Sequence, residues 1–235
     1  MRTAIKLVDP AMPSAQKRRV LEKTRKRQGR GRIYLLATVI IIIVVGIGTY
    51  SYVSAQSANM KAANPGIVYA KLNTSNGTIE VELYGNSAPK TVTNFMNLAN
   101  SGFYTNLVWH RIVKANPAVI QTGDPNTKDG GGDRLHWGEG GSPQTVPLEI
   151  DSSLHNNAGY LGMARGQDTN SGSSQFYINM ADNNYLDGSY TVFGKVISGM
   201  NAATALWNTP VSSQYQPNEP INPVFLTSVT ISSNP

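Results

Sequence analysis

Residues 33–53, IYLLATVIIIIVVGIGTYSYV, form a run of 21 uncharged and mostly apolar residues. A helix of this length is about 31 Å long, which matches a hydrocarbon core of roughly 30 Å. Tyr34 lies near one end and Tyr50 and Tyr52 near the other, where aromatic side chains favour the membrane interface. Since nothing else in the chain is apolar enough to surround this segment, we expect a single transmembrane helix over 33–53.

The charge of the chain is distributed unevenly about this run. Residues 1–32 contain 11 Lys and Arg and 2 acidic residues, whereas residues 33–235 contain 9 basic and 12 acidic residues. The positive-inside bias predicts a cytoplasmic N-terminus and an exported C-terminal part, on the outer face of the cell membrane. The basic tail could also bind acidic lipid or nucleic acid. A topology signal is the simpler interpretation, so we expect no nucleic-acid partner.

Four regions follow from this pattern: a basic tail at 1–32, the anchor at 33–53, a linker at 54–65 and a folded domain at 66–235. The linker, SAQSANMKAANP, is small and polar, as flexible tethers are. Small residues before Ala55 and Ala58 leave open a second possibility, in which a signal peptide is cleaved there and the domain is secreted.

The C-terminal domain carries the pattern of a mainly β fold. Segments 67–73 and 77–84 alternate apolar and polar residues around Asn76-Gly77, a strong hairpin signal. Pro89 opens a helical pattern that ends at Gly102. Further strand candidates lie near 108–113, 118–122, 159–164, 175–180, 190–197 and 223–231, and a second helix fits 199–207. Many short strands with two helices predict a closed barrel or a sandwich.

Several kinds of chemistry are excluded by the sequence. The chain has no cysteine, so it has no disulfide, thiolate metal site or cysteine nucleophile. Its three histidines lack zinc-binding spacing, and there is no GxSxG motif. Gly130-Gly131-Gly132 is not followed by Lys-Ser or Lys-Thr, which argues for a surface loop rather than a P-loop. We therefore expect neither a metal nor a cofactor.

Three polar residues stand within apolar, strand-like runs: Arg111, Gln121 and Gln175. Each alone is typical of a solvent-facing strand position. Together, an arginine and two amides in apolar surroundings are the ingredients of a peptide-binding groove.

The motifs that contain these residues resemble the cyclophilin peptidyl-prolyl cis-trans isomerases, in the family's order and over about 67–231. The motifs are WHRIV, VIQTGD, GYLGMAR, SGSSQFYI and YLDGSYTVFGKVI. The resemblance implies an eight-stranded antiparallel β-barrel with two capping helices, here preceded by the transmembrane helix. It also implies a cofactor-free isomerase acting on proline-containing segments of unfolded or exported proteins. We expect a membrane-anchored, prokaryotic-like form that acts as a monomer.

The resemblance also assigns roles to residues. Arg111 matches the catalytic arginine, and Gln121 matches the glutamine that holds it. The positions that match the substrate-binding groove are His110, Ala118, Val119, Met163, Ala164, Gln175, Phe176, Tyr177, Tyr185, Leu186 and Tyr190.

The chain departs from the family pattern at several of these positions. Tyr177 and Ala118 stand where Phe is usual, and Tyr185 stands where many members have the Trp associated with tight cyclosporin binding. The segment between Arg111 and Gln121 is about two residues longer than usual, which predicts a bulge at Asn116-Pro117. An altered pocket keeps a second function open, a proline-peptide binding or chaperone-like module with little turnover.

Overall fold

The structure is a computed structural model that describes residues 64–234 together with Arg18, Arg19 and Glu22. The predicted transmembrane segment at 33–53 lies outside these residues, as do most of the basic tail and the linker up to residue 63. The chain divides into two units, 1–58 and 59–235, and the strands described below belong to the second. In the described part of the chain, no helix is both long enough and apolar enough to cross a bilayer.

The first two strands form the hairpin that the Asn76-Gly77 turn predicts. Strand β1 (Ile67–Thr74) pairs antiparallel with β2 (Gly77–Tyr84), and Thr74 lies opposite Gly77. Gly77 has φ of 121°, a conformation that favours glycine. The alternating apolar residues of both strands point into the core, which confirms their predicted amphipathic pattern.

The other strands of the sheet are β3 (Leu107–Val108), β4 (Arg111–Val113), β5 (Val119–Thr122), β6 (Tyr160–Met163), β7 (Phe176–Asn179), β8 (Val192–Ser198) and β11 (Phe225–Ser232). Within residues 64–234, these strands and the hairpin form one antiparallel sheet of nine strands, in the order β3-β11-β1-β2-β8-β6-β7-β5-β4. The two edge strands, β3 and β4, are joined by Trp109-His110 alone. The sheet therefore curls until its edges approach each other.

This curled sheet confirms the predicted mainly β fold, with two differences in detail from the expected eight-stranded barrel. The sheet has nine strands rather than eight, because the strand expected near 108–113 is split between both edges of the sheet. Residues 114–118, where a bulge was expected, instead form the turn between β4 and β5, since Val113 pairs with Val119.

Helix α1 (Pro89–Asn100) packs against β2 and β11, and helix α2 (Met200–Trp207) packs against β2, β4 and β5. The residue before α1, Ala88, offers no capping side chain. Glu149 takes this role from a distant loop, where its carboxylate accepts from the backbone N–H of Lys90 at 3.1 Å and of Thr91 at 2.8 Å.

The core contains a cluster of aromatic rings around Phe176. Phe95, Tyr104 and Trp109 each make an edge contact with the Phe176 ring, at centroid separations of 5.4, 5.7 and 6.0 Å. All four side chains are fully buried. This cluster lies on the inner face of the sheet, so the outer face of β5 and β7 remains free to form a site.

Two regions that the periodicity does not describe also have ordered structure. The Gly-rich segment 123–145 contains 3₁₀ turns at Pro125–Gly130 and Arg134–His136. Between α2 and β11, strands β9 (Val211–Ser212) and β10 (Glu219–Pro220) form a separate two-stranded sheet. Both regions border the site.

Candidate active site

Strand register places the central residues of the site in one row across the sheet. Arg111 on β4 lies opposite Gln121 on β5, Gln121 lies opposite Tyr177 on β7, and Tyr177 lies opposite Gly162 on β6. Residues directly opposite each other in antiparallel strands share a face. The Tyr177 ring lies directly over Gly162, where a Cβ would come within 2.1 Å of the ring. A side chain at residue 162 would therefore displace the ring.

The Arg111 guanidinium is held by a chain of side-chain amides. Its Nη1 donates to Gln121 Oε1 at 3.2 Å, and Gln121 Nε2 donates to Gln175 Oε1 at 2.8 Å. Gln175 Nε2 in turn donates to the carbonyls of Gly138 at 2.9 Å and Gly140 at 2.6 Å. Because both backbone carbonyls can only accept, they fix the Gln175 amide orientation, which then fixes the oxygen that Gln121 presents to Arg111.

An apolar pocket adjoins Arg111 on the same face. Tyr177 and Val119 line this pocket and pack with the buried Val113, and Leu186 and Tyr190 pack against this cluster. The Tyr177 and Tyr190 rings meet edge to face, with centroids 6.1 Å apart. The pocket and the guanidinium open into a single cavity of about 540 Å³.

Eight of the residues assigned from the sequence line this cavity: His110, Arg111, Val119, Gln121, Ala164, Tyr177, Leu186 and Tyr190. Gln175 lines an adjoining cavity of about 380 Å³, which shares Gln121 and Ala164 with the first.

Four assigned residues lie elsewhere. Phe176 and Met163 are buried in the core, on the face opposite the groove. Ala118 is buried, and its backbone hydrogen bonds join it to Met180 and Asn183. Tyr185 is 59% exposed and does not line the cavity.

Seven further residues line the main cavity and were not assigned from the sequence: Pro117, Trp137, Gly138, Glu139, Arg165, Gln216 and Pro217. Arg165 stacks on Tyr190 with its guanidinium carbon 4.8 Å from the ring centroid, and it donates to the Ser189 carbonyl at 2.9 Å. The Gly-rich composition of 123–145 could have indicated that this loop contributes residues to a site. Gln216 and Pro217 lie in no motif, so nothing in the sequence indicated their position.

The hydroxyl that distinguishes Tyr177 from phenylalanine has a partner. It donates to Asn156 Oδ1 at 2.9 Å, below the pocket floor. Burial raises the pKa of Tyr177 well above its usual range, so the hydroxyl stays protonated. The floor of the pocket therefore presents an apolar ring, with the polar atom turned away into the protein.

Burial also controls the charge next to the pocket. It lowers the pKa of His110 to about 4, against the opposing effect of the Asp124 carboxylate, so this imidazole is neutral at pH 7. Burial lowers the pKa of Arg111 as well, but a guanidinium remains protonated at neutral pH. The site thus combines a fixed cation with an apolar pocket. Among the described residues, no cluster of His, Asp and Glu could hold a metal ion.

Comparison with known families shows to which protein family the chain belongs. The family described as cyclophilin type peptidyl-prolyl cis-trans isomerase/CLD matches residues 69–230, which is more than half of the chain. The chain belongs to this cyclophilin family. It is accordingly a peptidyl-prolyl cis-trans isomerase.

Named relatives agree with this assignment. A peptidyl-prolyl cis-trans isomerase of Acinetobacter baylyi is 36% identical over 170 residues, covering 69% of this chain and 85% of the relative. One from Schizosaccharomyces pombe is 39% identical over 153 residues, covering 64% of this chain and 92% of the relative. A longer relative from Rhizopus delemar, named peptidyl-prolyl cis-trans isomerase-like 2, is 40% identical over 155 residues. That match covers 65% of this chain and 27% of the relative.

A solved cyclophilin structure shares the fold. The crystal structure of a cyclophilin type isomerase of Cryptosporidium parvum superposes with a TM-score of 0.63 at 30% sequence identity, covering 72% of this chain and 99% of the other. A second structure of that cyclophilin, determined in the presence of the dipeptide Ala-Pro, gives a TM-score of 0.62 and covers 71% of this chain.

Proposed function

We propose that this cyclophilin catalyses rotation about X–Pro bonds of exported proteins, with Arg111 as the group that stabilises the twisted transition state. The observation that carries this proposal is the position of the Arg111 guanidinium. It is fixed by Gln121 at the rim of an apolar pocket floored by Tyr177.

The chemistry of the reaction explains why one arginine is enough. Rotation about a peptide bond must overcome a barrier of about 18–20 kcal/mol, because the partial double bond is broken. At an X–Pro bond the uncatalysed process takes tens to hundreds of seconds. In the twisted state the prolyl nitrogen becomes pyramidal and regains a lone pair, which the planar ground states lack. A donor aimed at this lone pair binds the transition state more tightly than either ground state.

The pocket supplies the second requirement, which is to hold the proline while the rest of the peptide turns. Proline has an apolar ring and no N–H, so it enters an apolar pocket without losing a hydrogen bond. Val119, Tyr177 and Leu186 offer such surroundings beside Arg111. Removing water from this region also strengthens the interaction between the guanidinium and the nitrogen lone pair.

We further propose that the enzyme is a membrane-anchored, prokaryotic-like form whose isomerase domain acts on the outer face of the cell membrane. The division of charge about residues 33–53 supports this orientation. Cleavage near Ala55 or Ala58, which would release the domain, is the competing outcome.

The test is an isomerisation assay on the purified chain, in which NMR exchange measures the rate of cis/trans interconversion of an X–Pro peptide. We expect acceleration by the wild type, and loss of most of it in Arg111→Ala. In Arg111→Lys the charge remains but the planar fork is lost, so the rate should be only partly recovered. Peptide binding without any acceleration by the wild type would instead establish the proline-peptide binding module.

A further inference from the structure

The segment between α2 and β11 approaches the groove from outside the curled sheet. It carries the short strands β9 and β10, and its backbone is joined to the strand that bears Arg111, since Ile112 N donates to the Asn218 carbonyl at 2.9 Å. Between β9 and β10, Gln216 and Pro217 line the same cavity as Arg111. We call Gln216 and Pro217 the wall of the groove.

Arg134, in the Gly-rich loop, attaches this segment to the rest of the molecule. Its Nε lies 3.3 Å from Glu219 Oε2, and its Nη2 donates to the Pro220 carbonyl at 2.6 Å. The same guanidinium also contacts two aromatic rings, with its central carbon 4.7 Å from the Trp137 centroid and 5.5 Å from the Tyr215 centroid. One planar cation thus contacts both loops that border this side of the cavity.

The burial and hydrogen bonds of Glu219 show that its contact with Arg134 is part of the packed structure. Its side chain is 1% exposed, and its second oxygen accepts from Tyr215 N at 3.2 Å and Ser212 Oγ at 3.4 Å. A buried carboxylate that loses its cation is strongly destabilising, so Arg134 and Glu219 hold each other in place. A second link joins the loops, because the Gln216 side chain donates to the Leu135 carbonyl.

The position of the wall relative to the reacting bond indicates its role. In the proposed function, the apolar pocket at Tyr177 and Leu186 binds the proline ring, and the prolyl nitrogen lies next to the Arg111 guanidinium. The cavity continues past Arg111 to Gln216, Pro217 and the loop at 137–139. A peptide seated with its proline in the pocket can therefore place a residue next to the X–Pro pair against this wall.

We propose that Gln216 and Pro217 form a specificity wall for a substrate residue adjacent to the X–Pro pair, and that Arg134 is the positioning residue that holds this wall. The proposal rests on the isomerase function above. The wall is a proline ring and a neutral amide, whereas the charged groups of the cavity, Arg111, Arg165 and the Glu139 carboxylate that pairs with His136 at 2.8 Å, lie outside the wall. An acidic side chain placed against the wall would lose water without gaining an ion pair there, so the wall favours a large uncharged side chain.

The experiment compares peptides in which the residue on either side of the X–Pro pair is Phe, Ala or Asp. Dissociation constants are measured by calorimetry and kcat/KM by NMR exchange, using the full chain. We expect the wild type to favour Phe over Asp on one side of the pair. Gln216→Ala and Pro217→Ala should each reduce that preference about three- to tenfold. Gln214→Ala, an exposed neighbour that does not line the cavity, should keep the wild-type preference.

Arg134 is tested through the same preference. Arg134→Gln should weaken it and raise KM for the Phe peptide more than for the Ala peptide, with kcat nearly unchanged. Arg134→Lys, which keeps the charge but not the planar fork, should give an intermediate preference. A purely structural role would weaken binding of all three peptides equally.

Two results would overturn the proposal: an unchanged Phe-to-Asp ratio of dissociation constants in both Gln216→Ala and Pro217→Ala, or an equal loss for all three peptides. The dissociation constants do not depend on turnover. If the wild type bound peptides but did not accelerate isomerisation, the proposed function would fail. The Phe-to-Asp ratio of dissociation constants would still decide whether the wall determines specificity.

Discussion

The Tyr177 hydroxyl donates to the Asn156 side-chain oxygen at 2.9 Å, directly below the floor of the proline pocket. The chain of hydrogen bonds continues from Asn156 to Asp187, because the backbone and side-chain N–H groups of Asn156 both donate to Asp187 Oδ1, at 2.8 and 3.0 Å. Asp187 follows Leu186, which forms a wall of the pocket. The hydroxyl thus connects the pocket floor with the loop that forms its wall.

This connection predicts the effect of removing the hydroxyl. In Tyr177→Phe the buried Asn156 oxygen keeps only a long contact with Asn179, at 3.4 Å. We expect a loss of about 1–3 kcal/mol in the free energy of unfolding and a raised KM with kcat nearly unchanged. Urea unfolding and steady-state kinetics provide the measurement.

Tyr104→Phe is the matched control, since its buried hydroxyl donates to the Ser174 carbonyl away from the groove. It should lose stability without a change in KM, and an equal KM increase in both variants would contradict the role of Tyr177.

The amide chain behind Arg111 predicts a second result. Gln175→Glu replaces the donor to Gly138 and Gly140 by a carboxylate that faces two carbonyls, so the side chain must move and release Gln121. We expect kcat to fall about 10- to 100-fold, because small errors in positioning a catalytic group are costly. Gln167→Glu makes the same charge change at an exposed position. Wild-type kcat in Gln175→Glu would show that the chain of amides does not position Arg111.

Burial of His110 predicts how stability depends on pH. Its folded pKa is about 4 against an ordinary value of 6.5, so between these values the unfolded chain binds a proton that the folded chain does not. Stability should therefore fall as pH decreases from 6.5 towards 4, with a slope of up to about 1.4 kcal/mol per pH unit from this residue. Above pH 6.5 His110 should contribute no dependence. Urea unfolding at several pH values should show a shallower slope for His110→Gln, and identical slopes would disprove the assignment.

Glu149 predicts a change confined to stability. It supplies the N-terminal cap that Ala88 cannot provide to α1, and it also accepts from Thr91 Oγ1 at 2.8 Å. Glu149→Ala should cost about 0.5–2 kcal/mol of folding free energy. In Glu149→Gln one oxygen is kept but the negative charge at the helix N-terminus is lost, so the cost should be smaller. Chemical unfolding measures both, and a larger loss in Glu149→Gln would contradict the capping role.

Local patterns predicted those parts of the fold that depend on neighbouring residues. The turn at Asn76-Gly77 and the helix opened by Pro89 appear where they were expected. The strand expected near 108–113 is divided, because alternation cannot show that the chain passes from one edge of a curled sheet to the other at Trp109-His110. The period of two residues along a strand also explains why Phe176 lies in the core while Tyr177 faces the groove.

The groove was predicted less completely than the fold. Arg111, Gln121 and Tyr177 lie in motifs, and strand pairing brings them together as the resemblance implied. Gln216 and Pro217 reach the same cavity only through long-range contacts, above all the pair Arg134 and Glu219. Such contacts leave no periodic pattern in the sequence, so this wall could not have been found without the structure.

The absence of cysteine from the chain allows a direct test of membrane topology. In variants with one introduced thiol, Ser14→Cys or Asn234→Cys, each label reports a single position. With a membrane-impermeant maleimide on intact cells, we expect Asn234→Cys to be labelled and Ser14→Cys to be labelled only after lysis, because the basic N-terminus should remain inside. Labelling of Ser14→Cys alone in intact cells would reverse the proposed orientation. Recovery of Asn234→Cys from the medium, with a mass lacking the first 55 or 58 residues, would instead establish signal cleavage and secretion.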